Sequence, residues 1–194
     1  MDARSFNCDI GNWDVSSLEV AESMFNGAFA FNCGGGDLNR WNTSSLVDMS
    51  FMFCRAGVFN CNISSWSLEN TLFTRYMFCE AASFDGNITA WNPEKVIDMN
   101  AMFHRATSFR QDIRGWNILS VTSMEETFSV CPVNYTEEWK EQQRRQRERD
   151  DRWTRRKHWM MVISPFLRQD GITESPVQVV FDIQGIYQLI TSFL

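Results

Sequence analysis

Large apolar residues recur along the first two thirds of the chain at intervals that fit neither a plain amphipathic helix nor an alternating strand. Phe103, Ala106, Phe109, Ile113 and Trp116 lie three or four positions apart, with polar residues between them. A short helical turn followed by a tight bend shows such intervals. The pattern therefore predicts a short helical turn that ends in a bend.

The same pattern returns with a period of 25 residues. Five tryptophans mark it, separated by 28, 25, 25 and 25 positions: Trp13, Trp41, Trp66, Trp91 and Trp116. The longer interval contains three consecutive glycines at 34–36. An Ile or Leu precedes each Trp by three positions, and in most units a Met-Phe pair, an Ala and a second Phe follow it. The chain therefore contains an internal repeat.

A period of this length indicates stacked supersecondary units, none of which can bury its apolar face alone. Residues at equal positions then form columns, so we expect a Phe column and a Trp column to build one continuous core. Residues 46–49 and 96–99 are candidate short strands. Strands of neighbouring units would pair in parallel at about 4.8 Å.

Two stretches carry a resemblance to a known family. WNPEKVIDMNAMFHRATSFRQDIRGW and WNTSSLVDMSFMFCRAGVFNCNISSW resemble the consensus of the bacterial surface-protein 25/26-residue repeat, related to BspA-like leucine-rich repeats. The resemblance covers residues 3 to about 130. It implies a leucine-rich-repeat-like α/β repeat solenoid with short parallel strands and short helical turns. It also implies surface display and protein interaction, and it provides no catalytic residues.

The composition changes after Cys131, where the repeat stops. We predict a five-unit repeat over 1–133, whose first unit is incomplete because the chain begins inside it. A charged basic helix is predicted over 134–162, and a C-terminal segment over 163–194 with an apolar helix at 176–194. The incomplete first unit suggests an incomplete N-terminus, from which a signal peptide could be missing.

Composition and charge narrow the class of protein. Hydrophobic residues make up 44% and charged residues 22%, which is typical of a globular chain and not of a disordered one. No uncharged apolar run of 18 residues occurs, so no transmembrane segment is predicted. Residues 1–135 hold 15 acids and 8 Lys or Arg, a net charge of −7, whereas residues 140–158 hold 4 acids and 9 Lys or Arg, a net charge of +5.

The basic run at 140–158 has two interpretations. It could bind nucleic acid or an anionic membrane. Glu148, Asp150 and Asp151 interrupt it, however, and supply helical neighbours of opposite charge. We favour a structural role, in which the helix packs its tryptophans near the end of the repeat and 176–194 covers the last unit.

The cysteines also follow the repeat. Cys8, Cys33 and Cys61 share one repeat position, and Cys54 and Cys79 share another. Neighbours in a column lie about 5 Å apart, which suits a disulfide. Reduced cysteines that fill small core spaces and disulfides between units both remain open. No CxxC spacing occurs, so no zinc site is predicted.

The other candidates for chemistry are isolated. His104 and His158 lie far apart, and NCGGGD lacks the lysine and the strand–loop–helix context of a phosphate loop. Four acids recur at repeat positions and are interpreted as turn or edge residues: Asp9, Asp48, Asp98 and Asp112. We therefore predict no enzyme and no catalytic, cofactor-binding or metal-binding residue.

The sequence best fits a non-enzymatic protein-interaction module that uses a solenoid surface to bind an unidentified protein partner. The alternative is a secreted or cell-surface adhesin-like repeat protein. That alternative predicts secretion, bridged cysteines and occupied N-glycosylation sequons. Four sequons begin at Asn42, Asn62, Asn87 and Asn134, a mild excess that favours secretion without establishing it.

Overall fold

A computed structural model of the chain describes residues 3–162. Within that range the helices are a 3₁₀-helix, Cys33–Gly35, and an α-helix, α1, Thr136–Val162. The repeats are turns joined by isolated parallel bridges, which link Val20 to Asp48, Asp48 to Phe73, Phe73 to Asp98 and Asp98 to Ser123. The chain divides into two compact regions, Met1–Gln146 and Arg147–Leu194. The apolar helix predicted at 176–194 lies outside the described residues.

The predicted leucine-rich-repeat-like α/β solenoid with short parallel strands and short helical turns is wrong. Between residues 3 and 135 each repeat unit contributes a single bridge residue, so no strand or sheet forms there and no α-helix lies among the repeats. The repeat units nevertheless stack. Phe53 N donates to Met77 O at 2.9 Å, and Phe78 N donates to Met102 O at 2.9 Å. The first region is therefore a stack of turn-rich units.

No strand extends from a bridge because the backbone enters the left-handed region three residues later. The residues there are Ser23, Phe51, Tyr76, Ala101 and Glu126, with φ between 51° and 58°. Four residues further, φ is positive again, at Gly27, Arg55, Glu80, Arg105 and Val130. Phe51 N donates to Arg75 O at 2.9 Å and Arg55 N donates to Cys79 O at 2.8 Å, so these N–H groups connect neighbouring units. Extended strands need negative φ, which excludes a sheet at these positions.

The predicted Phe and Trp columns are confirmed, and together they form the core. Phe53, Phe78 and Phe103 stack with 5.8 Å between successive ring centroids, and all three are fully buried. Trp66 and Trp91 stack at 6.4 Å with nearly parallel planes. Each buried indole of the repeats donates from Nε1 to the carbonyl of an Ile or Leu in the preceding unit, for example Trp66 to Leu38 at 2.8 Å. The polar atom of each indole is thereby satisfied inside the core.

A third column, made of Asn and Asp side chains, joins the units at the surface. Asn7 Oδ1 accepts from Asn32 N at 2.8 Å, Asn32 Oδ1 accepts from Asn60 N at 2.9 Å, and Asn60 Oδ1 accepts from Asp85 N at 2.9 Å. Asp85 Oδ1 continues the series by accepting from Arg110 N at 2.8 Å. The residue after each second Phe thus replaces a backbone carbonyl as the acceptor for the next unit.

Replacing Asn32 tests this column. Asn32→Ala removes the acceptor of Asn60 N, and we expect the free energy of unfolding to fall by about 1 kcal/mol, as for a single lost hydrogen bond. Asn32→Asp keeps an acceptor oxygen at this position, like the carboxylate of Asp85 in a later unit. Its free energy of unfolding, measured by urea denaturation, should therefore be close to that of the wild type. Equal losses in the two variants would show that the side-chain acceptor does not matter.

The first turns of α1 pack on the last repeat unit. Trp139 is 1% exposed and stacks on Trp116 at 6.1 Å, so it continues the Trp column from a helix. Its ring also meets Phe128 edge-on at 5.2 Å. Gln143 Nε2 donates to the carbonyl of Ile118 at 2.6 Å and to that of Val121 at 3.0 Å. This end of α1 therefore covers the rings of Trp116 and Phe128 and donates to two backbone carbonyls of the last unit.

Candidate interaction surface

The segments that carry the bridges are residues 47–51, 72–76 and 97–101, and we call those of their side chains that are not buried the bridge face. Val47, Leu72 and Ile97 share one position on it. Leu72 N donates to Val47 O and Ile97 N to Leu72 O, both at 2.9 Å. Ile97 is exposed, whereas Val47 and Leu72 are half-buried. The bridge face therefore carries a row of aliphatic side chains that apolar groups of a partner can contact.

Aromatic rings and a guanidinium group lie beside this row. Phe51 and Tyr76 stack with centroids 4.8 Å apart and an angle of 4° between their planes. The Arg75 guanidinium carbon lies 5.4 Å from the centre of the Phe51 ring, a cation–π contact. Tyr and Arg are among the residue types enriched where proteins bind each other. Stacking also holds both rings in place, which reduces the entropy that binding would cost.

A row of charges follows on the adjoining turn. Glu80 lies between Arg55 and Arg105, with nitrogen–oxygen distances of 3.7 Å and 3.8 Å. All three side chains are at least 39% exposed. Exposed ion pairs at such distances contribute little to stability. Their charges therefore remain available to a charged partner.

The sequence did not identify these surface residues. Their signal was present, because Val47, Leu72 and Ile97, and likewise Phe51 and Tyr76, recur at the period of 25. The core columns share that period, so the repeat alone does not distinguish an outward position from an inward one. Their direction depends on the backbone conformation of each unit, which is not visible in the sequence.

One cysteine column contains a disulfide. Cys33 and Cys61 are bonded with their Cα atoms 6.2 Å apart, within the range for disulfides. Both side chains are buried. Cys8, which shares their repeat position, is an exposed free thiol. The sequence left open whether the cysteines are reduced or form disulfides between units, and the Cys33–Cys61 pair forms a disulfide.

Reducing this disulfide should destabilise the stack. The bond joins residues 28 positions apart, and loops of that size give about 2–4 kcal/mol of stabilisation. We expect a phosphine reductant to lower the free energy of unfolding of the wild-type chain by that amount in urea denaturation. The double variant Cys33→Ser with Cys61→Ser should already have the lower stability and should not respond to reductant. A wild-type chain that is indifferent to reduction would contradict the prediction.

The second cysteine column remains reduced. Cys54 and Cys79 lie in adjacent units, as their shared position predicts, and Arg55 N donates to Cys79 O at 2.8 Å. The Cys79 thiol is hydrogen-bonded to Cys54, which lowers the pKa of Cys54. The same hydrogen bond, together with burial, raises the pKa of Cys79. This pair therefore follows the other interpretation, that of cysteines filling core space.

The remaining candidates for chemistry do not come together. His104 is partly buried, and its Nδ1 lies 3.7 Å from Glu126 Oε2, too far for a hydrogen bond. The repeated acids act as turn residues, as predicted: Asp9, Asp48, Asp98 and Asp112 each accept from the backbone N–H two positions on. Hydrogen bonds from Arg114 lower the pKa of Asp112 to about 2. Among residues 3–162 no three potential ligands are grouped around a metal position.

The basic residues at the start of α1 are paired within the helix. Glu141 forms ion pairs with Arg144 and Arg145, each with a nitrogen–oxygen distance of 2.6 Å. Glu137 forms an ion pair with Lys140 at 3.1 Å. Such pairs at helical spacing stabilise an exposed helix by a few tenths of a kcal/mol each. Nothing in the described part of the chain is a helix able to cross a bilayer.

Comparison with protein-family models gives a match. The model of a family described as "Mycoplasma protein of unknown function, DUF285" matches residues 1–36 and 33–139, which together span 139 of the 194 residues. No curated protein and no solved structure matches the chain. The matched residues include all the repeats and the Trp139 end of α1.

Proposed function

We propose a function for this chain, which belongs to the family described as "Mycoplasma protein of unknown function, DUF285". The proposed function is that of a non-enzymatic protein-interaction module. The observation that carries the proposal is the bridge face. Its aliphatic row and its stacked pair of rings, together with the charged row on the adjoining turn, are exposed or half-buried on one repeating scaffold. Stacked-repeat proteins use extended surfaces of this kind for binding.

The scaffold favours binding because it fixes the positions of the surface side chains. Buried Phe and Trp columns form the core of the same repeat units, and hydrogen bonds join each unit to the next. A partner that contacts the bridge face therefore meets groups that are already ordered. Preorganisation of this kind strengthens binding without additional contacts.

Site-specific crosslinking tests the proposal. A photoreactive amino acid at Arg75, on the bridge face, should capture a protein from cells that make this chain. The same amino acid at Ala90, which is exposed on a different part of the repeat, is the control and should not capture it.

The captured protein is then purified and its affinity measured by calorimetry. We expect Ile97→Lys to weaken binding at least tenfold, because it places a charge in the aliphatic row, and Ala90→Lys to leave binding unchanged. Equal affinities for the wild type and Ile97→Lys would contradict the assignment of the bridge face.

The second candidate function is that of a secreted or cell-surface adhesin-like protein. The Cys33–Cys61 disulfide supports it, because such bonds persist in oxidising compartments. The sequon asparagines also support it, since Asn42, Asn62 and Asn87 are exposed. Mass spectrometry of the chain from its natural source would test it. A reduced Cys33–Cys61 pair and unmodified sequons there would count against secretion.

A further inference from the structure

We propose that Cys8, Cys33 and Cys61 form an exchange column, in which the disulfide moves between Cys33–Cys61 and Cys8–Cys33. The proposal concerns the covalent state of the first units and is independent of any binding partner. It assigns a role to Cys8, which the interaction surface does not use.

Cys8 and Cys33 each follow an asparagine that makes the same hydrogen bond to the next unit. Asn7 Oδ1 accepts from Asn32 N at 2.8 Å, and Asn32 Oδ1 accepts from Asn60 N at 2.9 Å. A cysteine follows each of these three asparagines directly. Because the second relation already permits a disulfide, with a Cα–Cα distance of 6.2 Å, the first places Cys8 where it can form one.

The backbones of the two units also pack closely at this point. Gly34 N donates to Asn7 Oδ1 at 2.8 Å. A Cβ atom on Gly34 would lie 2.6 Å from the carbonyl carbon of Cys8 and 2.6 Å from Asp9 N. No side chain therefore separates Cys8 from the backbone next to Cys33. Gly34 also has a φ of 57°, which glycine adopts without strain.

The three thiol positions differ in their accessibility to solvent. Cys8 is an exposed free thiol, whereas Cys33 and Cys61 are 1% and 6% exposed. Thiols in solution reach the buried bond poorly, but Cys8 lies within the same column. An intramolecular attack also needs no encounter, which gives it a high effective concentration.

The exchange needs no oxidant or reductant. The Cys8 thiol loses its proton to water and its thiolate attacks Cys33 Sγ. The Cys8–Cys33 bond forms as the Cys33–Cys61 bond breaks, and the electron pair of the broken bond leaves on Cys61 Sγ, which is then protonated. One thiol and one disulfide are present before and after the step. The result is a disulfide between Cys8 and Cys33 and a free thiol at Cys61.

Disulfide mapping of the full chain tests the proposal. Wild-type protein is held at pH 8 without reductant, pulsed with a maleimide, digested and analysed by mass spectrometry. We expect labelling of Cys61 in a minor fraction that contains a Cys8–Cys33 bond. Cys8→Ser should abolish that labelling, whereas Cys131→Ser, which removes a thiol outside the column, should leave it unchanged.

A second variant measures the bond directly. In Cys61→Ser we expect a Cys8–Cys33 disulfide in a glutathione buffer that also oxidises Cys33–Cys61 in the wild type, with equilibrium constants within about tenfold. In Cys33→Ser, Cys8 and Cys61 should both stay free, because they are two units apart. The proposal is overturned if wild-type Cys61 labels no faster than it does in Cys8→Ser, an outcome that does not depend on the folding of Cys61→Ser.

Discussion

Phe103→Ala is expected to lower the free energy of unfolding by about 3–5 kcal/mol, the usual range for truncating a buried Phe. The Phe103 ring is fully buried and stacks on Phe78 at 5.8 Å, on Phe109 at 4.3 Å and on Phe128 at 5.7 Å. The neighbours on both sides belong to rigid columns, so they cannot collapse into the space. The cavity therefore persists and adds to the lost transfer free energy.

Chemical denaturation of the full chain measures this loss. Ser83→Ala is a suitable control, because Ser83 is exposed and surface substitutions usually stay within about 0.5 kcal/mol. A loss below about 1 kcal/mol for Phe103→Ala would mean that the Phe column does not carry the core.

Truncation after Asn134 should cause aggregation, because it removes α1 from the end of the stack. Trp116 and Phe128 would lose the Trp139 ring that now covers them. The carbonyls of Ile118 and Val121 would also lose the hydrogen bonds from Gln143, and Ile118 O would keep only the one from Val121 N. We expect light scattering after gel filtration to show oligomers, and the remaining monomer to unfold at lower urea concentrations than the full chain.

Point variants separate the contact from the rest of the segment. Trp139→Ala alone should lower the free energy of unfolding by about 3–5 kcal/mol, as for other buried Trp residues. Trp153→Ala is the matched control, since Trp153 is 62% exposed on the same helix and should change little. Truncation after Val162 keeps α1 and tests whether 163–194 also covers the last unit. It should aggregate only if that segment is needed.

The opposite result would favour the interpretation of residues 140–158 as a segment that binds nucleic acid or an anionic membrane. A chain truncated after Asn134 that stays monomeric and equally stable would contradict a capping role for α1. If the full chain then bound DNA or anionic vesicles with a steep salt dependence, residues 140–158 would be a binding segment.

The sequence was sufficient to predict the columns of the fold. Each column follows from an identity at a fixed interval, such as Trp66 and Trp91, and stacking requires only that successive units superimpose. The adjacency of Cys54 and Cys79 followed from the same argument. Local backbone conformation is not needed for predictions of this kind.

The sequence could not show that the predicted strands are absent, because their absence results from positive φ values that the residue types do not reveal. Phe51, Tyr76 and Ala101 adopt left-handed conformations, which residues other than glycine rarely do. Their aromatic and small side chains gave no sign of it. Hydrogen bonds between units hold them there, for example Tyr76 N to Asn100 O at 2.8 Å, so the conformation is imposed by the stack. The packing of Trp139 near the end of the repeat was predicted and is confirmed, but its place in the Trp column was not predicted, because it follows Trp116 by 23 positions and lies in a helix.

The Trp column also affects the intrinsic fluorescence of the chain. Its indole rings lie 5.8 to 6.5 Å apart with interplanar angles of 19° or less, from Trp13 to Trp139. At such separations excitation passes between identical rings faster than it is emitted. Light absorbed anywhere in the column is therefore shared along it, and intrinsic fluorescence reports on the whole row. An indole replaced in the middle, such as Trp66, would divide that row into two emitters, and the depolarisation of the emission would change even where the emission spectrum does not.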